Sequence, residues 1–269
     1  MLRILSDLHF HDASSRLRRL DDLEPLLAGV DTLWLNGDTC DNQSGLSAAA
    51  VAEMLAFFRS RVPAVRFITG NHDPDISQDH WLETAEARLC AVHGDVFFDD
   101  LVPWGRQREL INARRQAARL LHPELDDRGL AGRIALHRLA CTGLASEHNL
   151  ESRHPAHRLR RLVAALFPPS QFLTMLRVWR TLPGLVAFHA PEWFPAAQVV
   201  VTGHVHFPRV WRRGALTVVN TGAFAGPLGA YAVDLTGDVV NVRRVRERAG
   251  QWFPGRVVAT IPLVATGSR

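Results

Sequence analysis

Gly70-Asn71-His72-Asp73 sets three chemically distinct side chains in succession behind an apolar run at 62–69. Asn71 can offer an amide oxygen to a metal, His72 can carry a proton near neutral pH, and Asp73 can fix which ring nitrogen holds that proton. Alone, the tetrapeptide also reads as a Gly-Asn turn with a helix-capping Asp before Pro74. Three further segments bring groups of the same hard-ligand type: Asp7-Leu8-His9, Gly37-Asp38 and Gly203-His204-Val205-His206. Each follows a short apolar run of strand character, so each reads as a loop leaving a strand end. In an extended segment the i, i+2 spacing of His204 and His206 puts both rings on one face. The chemistry on offer is metal binding with proton transfer beside it.

The elements that must position these groups alternate. Strand Leu2–Leu5, a helix around 17–27 closed by Gly29, a strand at 32–35, a helix around 46–60 and a strand at 64–69 argue a layered α/β core. Leu17, Leu20, Leu23 and Leu27, and then Leu46, Ala50, Met54, Phe57 and Phe58, form helical core stripes. Open α/β sheets bind ligands at strand ends, where the candidate groups lie. A strand at Leu89–Val92 runs into His93-Gly94-Asp95, with Asp99-Asp100 close behind. From 101 to 180 the pattern turns helical, carried by Leu110, Ala113, Ala117 and Leu121, by Leu159, Leu162, Val163 and Leu166, and by Phe172, Met175 and Trp179. Strands return at 187–189, Val199–Thr202, 210–212 and 216–219. A hairpin at 231–235 and 239–245 is expected to close a second sheet, and 257–261 adds a last strand.

Composition narrows the chemistry. At 269 residues, with 47% hydrophobic and 22% charged, the chain is long enough for one large domain or a domain with an inserted cap. No stretch approaches the roughly 20 apolar residues that span a bilayer. The opening MLRILSDLHF goes straight into a strand, which makes a cytoplasmic location the expectation. Cys40, Cys90 and Cys141 are odd in number and lack metal-like spacing, so they read as reduced thiols. All 31 basic residues are arginine, which excludes a P-loop lysine, a Schiff-base lysine and a Ser-Lys dyad. Segment 101–180 holds 14 arginines against 6 acids, a balance of +8, while the remainder holds 17 against 21, a balance of −4. The basicity is therefore localised over a segment lying between two motif loops.

The ordered set D-x-H, GD, GNHD and GHxH, from Asp7 to His206, resembles the calcineurin-like metallophosphoesterases. The resemblance implies a four-layer αββα sandwich, residues 1–100 and 183–269 forming the core and 101–182 an inserted helical cap. It puts Asp7, His9 and His206 on one divalent metal, Asn71, His93 and His204 on a second, and Asp38 between them. His72 is assigned to the leaving group with Asp73 as its orienter. His189, in Phe188-His189-Ala190-Pro191, is the alternative to His93. Carboxylate, amide and imidazole together suit Mn first, with Fe or Zn as alternatives, and disfavour Ca. Two such ions about 3.5 to 4 Å apart supply a strong nucleophile at neutral pH and clamp the attacking and leaving oxygens.

The stretch HGDVFFDD, with Asp41 after GD, resembles the UDP-2,3-diacylglucosamine pyrophosphatase branch of that family. That likeness places Asp99 or Asp100 on the substrate side, and Asn220-Thr221-Gly222 resembles a turn that packs near the site. The chain departs from the branch at GNHD, where the branch carries GNRD, and is one residue shorter between Asp95 and Asp99. The implied partner is an anionic phosphoester, a phosphodiester or pyrophosphate in a nucleotide- or lipid-linked substrate. The basic cap is expected to touch the inner face of a membrane and to be removable without loss of metal binding. A nuclease or nucleic-acid phosphatase is the runner-up, disfavoured because the cap has no Tyr and its aromatics fit packing faces. A non-catalytic, metal-stabilised binding protein is the third reading.

Overall fold

The computed structural model describes residues 1–41, 46–105, 107–144 and 169–265, and in them two mixed sheets lie face to face between helices. In the first sheet β1 (Leu2–Leu5), β2 (Thr32–Asn36) and β3 (Ala64–Ile68) run parallel. The antiparallel strands β9 (Tyr231–Thr236), β10 (Val239–Arg248) and β11 (Gln251–Pro262) extend it in the order β11-β10-β9-β1-β2-β3. The second sheet holds β4 (Trp81–Thr84), β5 (Leu89–Val92), β6 (Val199–Thr202), β7 (Arg209–Arg213) and β8 (Leu216–Asn220), in the order β4-β5-β6-β8-β7. β5, β6 and β8 are parallel, and the all-buried VVVT of β6 is what a strand covered on both faces requires.

Helices complete four layers. The short α1 (Glu24–Leu27) and α2 (Ala48–Arg61) cover the first sheet, where Leu26, Leu27, Met54 and Phe58 bury against Leu33, Leu35 and Phe67. The Ser47 hydroxyl accepts the Ala50 N–H at 3.2 Å, and Arg59 and Arg61 occupy the last turn, so α2 is capped and charged in the favoured sense. On the far side α4 (Gly129–Cys141) and α5 (Pro169–Trp193) bury Leu130, Ile134, Val178, Leu182 and Val186 against Cys90, Val92, Val200 and Val218. The amphipathic α3 (Arg108–Leu121) packs on α4. Ile4, Trp34 and Ile68 meet Ala91, Val199, Val201 and Val219 between the sheets.

Several elements differ from the sequence reading for identifiable reasons. Segment 187–189 is helical, because the i, i+4 row Val178, Leu182 and Val186 faces the second sheet and carries α5 through Pro183. The helix expected at 17–27 shrinks to a 3-10 turn at Leu20–Leu23 followed by α1, since Pro25 fits only a first helical turn. The hairpin at 231–245 joins the first sheet through β9 on β1, not the second. β3 is an edge strand buried only at Phe67 and Ile68. β4 escapes notice because its hairpin turns without glycine, through Ala85, Glu86 and Ala87 at φ of 53°, 57° and 62°. The helix candidate around 159–166 lies outside the described residues. The three cysteines are free and buried. Among the described residues no helix is long and apolar enough to cross a membrane.

Candidate metal centre

Five parallel strands end on one side of the sandwich, and each delivers a motif loop. Five of the seven candidate ligands share a backbone conformation that side chains other than glycine rarely adopt: φ is 52° at Asp7, 47° at His9, 50° at Asp38, 69° at His204 and 52° at His206. Each such residue costs about 1–3 kcal/mol, and strain of this kind gathers at functional sites. The HxH segment is therefore not extended. His204 and His206 converge because both are left-handed on either side of Val205, whose N–H bonds Gly203 O at 2.8 Å. A Cβ at Gly203 would overlap the Ser6 hydroxyl and the Asp7 carboxylate, and one at Gly70 would overlap Asp38. Both loops can approach this closely only with glycine at those positions.

The seven expected ligands come together. Donor atoms of Asp7, His9 and His206, of His9, Asp38 and His72, and of Asp38, His93 and His204 form three groups, each within 4.8 Å. His206 Nε2 lies 3.1 Å from Asp7 Oδ1 and 2.9 Å from His9 Nε2. His93 Nε2 lies 3.2 Å from Asp38 Oδ2 and 3.2 Å from Asn71 Oδ1, which is 2.9 Å from His204 Nδ1. Backbone carbonyls orient two rings. His93 Nδ1 faces Asn36 O at 3.0 Å and His204 Nε2 faces Leu101 O at 2.8 Å. A carbonyl only accepts, so each of those nitrogens carries the proton and the opposite nitrogen turns inward. With both rings neutral, the inward set of two imidazole nitrogens, an amide oxygen and a carboxylate would consist of acceptors, and His9 Nδ1 is buried without a hydrogen-bond partner among the described residues. Such a set fits a cation.

The electrostatics agree. Burial is the largest influence on Asp38 and opposes its ionisation, yet His93 and His72 hold it well below the usual carboxylate range. Asp7 is likewise lowered against burial, by His206 and His93. Burial pushes His9 and His204 down to about 4, so both are neutral ligand forms. His93 is driven up to about 10, against burial, chiefly by Asp38. In the metal-free chain a proton on His93 supplies positive charge that a bound metal would replace, and metal binding to such a site releases protons.

Around this cluster the structure rearranges several roles. Asp73 does not orient His72. Its carboxylate accepts the backbone N–H of Asp38 at 2.9 Å, Thr39 at 2.7 Å and Gly70 at 2.8 Å, and so staples two motif loops together. The acid facing His72 is Asp41, with Oδ1 3.7 Å from Nδ1. Burial would lower His72, but Asp38 and then Asp41 raise it to about 10. Asn220 is fully buried with both ends of its amide used, Nδ2 on Thr202 Oγ1 at 3.0 Å and on Gly203 O, Oδ1 on Gly222 N–H at 3.1 Å. It braces the Gly203 turn and has no face left for substrate. Asp99 pairs with Arg133 at 2.9 Å, and the Asp100 carboxylate accepts from Arg108 at 2.5 Å and Asn112 at 2.9 Å, so both turn toward the helices. His189 stacks on Trp193 at 4.1 Å and lines a cavity of about 390 Å³ with Asp99, Arg115 and Arg133, in none of the three donor groups.

Sequence reasoning missed a buried polar cluster behind His93. Asp95 pairs with Arg138 of α4 at 2.6 Å, and His137 is fully buried beside it. His137 Nδ1 is 3.5 Å from Asp95 Oδ2, beyond hydrogen-bond reach, and neither ring nitrogen has a hydrogen-bond partner among the described residues. Burial, opposed by Asp95 and assisted by Arg115 and Arg133, lowers its pKa from 6.5 to about 4. An unfolded chain takes up this proton near pH 6.5, whereas the folded chain does so only near pH 4. The folded state therefore loses stability as pH falls through that window, by up to about 3 kcal/mol. His137→Leu is expected to flatten the stability curve of chelator-treated protein between those limits, measured by urea melts across pH. An unchanged slope would mean that the folded ring is already charged.

These features define a class. The calcineurin-like phosphoesterase family model matches residues 2–208, and the chain belongs to that family. Among solved structures it is similar to Vps29 from Cryptosporidium parvum, with 12% identity and TM-score 0.46 over 97% of each chain. It is also similar to YfcE, a phosphoesterase from E. coli, with 16% identity and TM-score 0.42 over 98% of this chain and 99% of that one. Vps29 from Entamoeba histolytica complexed with Zn²⁺ matches at 12% identity and TM-score 0.43, over 97% and 98%. A comparison with curated proteins finds no match.

Proposed function

We propose that the protein is a two-metal hydrolase of phosphoesters, acting on a phosphodiester or pyrophosphate bond in a nucleotide- or lipid-linked substrate. The observation that carries this reading is the convergence of inward-facing acceptors from five strand ends around two carboxylates held ionised. Asp7, His9 and His206 would hold one divalent ion, Asn71, His93 and His204 the other, and Asp38 both. The donor set favours Mn, with Fe or Zn as alternatives. When bound, two such ions supply a nucleophile at neutral pH and stabilise the charge developing on the phosphoryl oxygens.

The chain's own residues do the rest. Asn36 and Leu101 carbonyls keep His93 and His204 in ligand tautomers, and Asp73 holds the Asp38 and Gly70 loops in register. The His72 side chain is 22% exposed at the edge of the cluster, where Asp38 and Asp41 keep its ring protonated. A proton so held can pass to the departing oxygen, worth about 10²- to 10⁴-fold for a positioned acid. The UDP-2,3-diacylglucosamine reading draws support from the HGD turn and Asp41. The orientation of Asp99 and Asp100 toward the helices gives it none. Exposed Leu110, Leu120 and Leu121 beside Arg108 and Arg119 on α3 support a peripheral membrane contact at a cytoplasmic face.

Chelator-stripped protein is expected to bind two Mn²⁺ per chain and to regain cleavage of bis-p-nitrophenyl phosphate on reloading. A higher kcat/KM for UDP-diacylglucosamine than for the deacylated UDP-sugar identifies the lipid-linked class. Two bound metals without hydrolysis of any of the three compounds would overturn the enzyme reading in favour of a metal-stabilised binding protein.

A further inference from the structure

Arg138 stands in the last turn of α4, in the second helical layer, yet every hydrogen bond described for its side chain runs to the motif loops. It is 6% exposed on α4. Nη1 donates to Asp95 Oδ2 at 2.6 Å, and Nη2 donates to Asp95 Oδ1 at 3.3 Å and to the Thr69 carbonyl at 2.9 Å. Nε donates to Thr69 Oγ1 at 2.9 Å. Thr69 immediately precedes Gly70-Asn71, and Asp95 follows His93-Gly94. One planar guanidinium thus spans the two loops that bring Asn71 Oδ1 and His93 Nε2 to 3.2 Å. Guanidinium geometry is rigid and its donors are fixed in one plane, so the fork sets a distance and an angle where a flexible ammonium would set only a charge. Among the described hydrogen bonds of Arg138, none runs to the loops that leave β1 and β6 with Asp7, His9 and His206.

From this asymmetry we infer that Arg138 is a positioning residue for one half of the centre, the half built from Asn71 and His93. The inference rests on the two-metal reading above. The helical layer then contributes to the metal centre itself, because the separation of two ligands is held by a side chain that α4 supplies. Leu130 and Ile134, two turns and one turn before Arg138, bury against the second sheet and anchor α4 at the height where the guanidinium reaches both loops.

The test compares wild type with Arg138→Met and Arg138→Lys by Mn²⁺ titration calorimetry, with thermal melts to establish folding. Arg138→Met is expected to keep one equivalent within about twofold and to weaken the other by about 10- to 100-fold, the range for residues that orient metal ligands. Arg138→Lys should fall between, since it keeps the charge without the fork. A folded Arg138→Met that binds both equivalents as wild type does, or loses both by the same factor, overturns the inference. Should Arg138→Met not fold, Thr69→Val removes one of the four contacts, and the same selective loss, smaller in size, is required. If wild type binds no metal, the two-metal reading falls, and the positioning role is judged on metal-free protein by ¹⁵N histidine spectra. His93 must then shift in the variant while His9 and His206 stay in place; an unmoved His93 overturns it.

Discussion

Asp38→Ala is expected to yield a folded chain that binds neither metal tightly and has lost nearly all turnover. The expectation follows from where the carboxylate stands. Its Oδ2 is 3.2 Å from His93 Nε2 and 3.9 Å from His9 Nε2, so it belongs to both halves of the cluster. Its Oδ1 accepts the His72 N–H at 2.8 Å and is crowded by the Gly70 backbone, which leaves the side chain little freedom to choose between the halves. Removing a single transition-state donor from an active site costs about 10²- to 10³-fold in kcat. Removing the ligand shared by two ions should cost more than that. Asp38→Asn is the sharper variant, since it keeps the shape and the acceptor for His72 N–H but withdraws the negative charge that raises His93 and His72. Elemental analysis decides the matter: two metals per chain retained in Asp38→Ala would exclude a bridging role.

The positions of Asp7, Asp38, Asn71, His93, His204 and His206 are legible in the sequence because each lies just beyond a short apolar run of strand character. Parallel strands put their loops on one side whatever order they take in the sheet. The backbone that completes the job is not legible. Nothing in D-x-H or H-x-H announces left-handed residues, and their strain is sustained by contacts from other loops, such as the Asp7 carboxylate accepting His204 N–H at 3.0 Å. Asp73 follows His72 in sequence and so looks like its partner, whereas its acceptor oxygens are filled by amides from the Asp38 loop some 35 residues away in the chain. The hairpin at 231–245 has clear strands and no local mark of which sheet it will join. Arg138 is one of many arginines on a helix, and only its burial with Asp95 distinguishes it.

Deletion of residues 106–182 is expected to abolish cooperative folding, contrary to the separable cap that the sequence suggests. The deleted span supplies Leu130, Ile134, Val178 and Leu182, all buried against the outer face of the second sheet. At about 1.5 to 3 kcal/mol for each side chain, their loss amounts to about 6 to 12 kcal/mol. That is comparable with the whole stability of a domain, about 5 to 15 kcal/mol. The cut also removes Arg138 and leaves Asp95 as an uncompensated buried charge, itself strongly destabilising. It further takes away the Trp179 indole, which donates to Val205 O at 2.9 Å between His204 and His206 and stacks on Phe207 at 4.5 Å. Two contacts of the second helical layer with the site would go at once: the α4 fork on the Asn71 and His93 loops, and the α5 indole on the His204 and His206 loop. Circular dichroism melts and Mn²⁺ stoichiometry of the shortened chain provide the measurement. A soluble product that melts cooperatively and binds two ions would show that the first sheet and the strand ends hold the centre without the second helical layer.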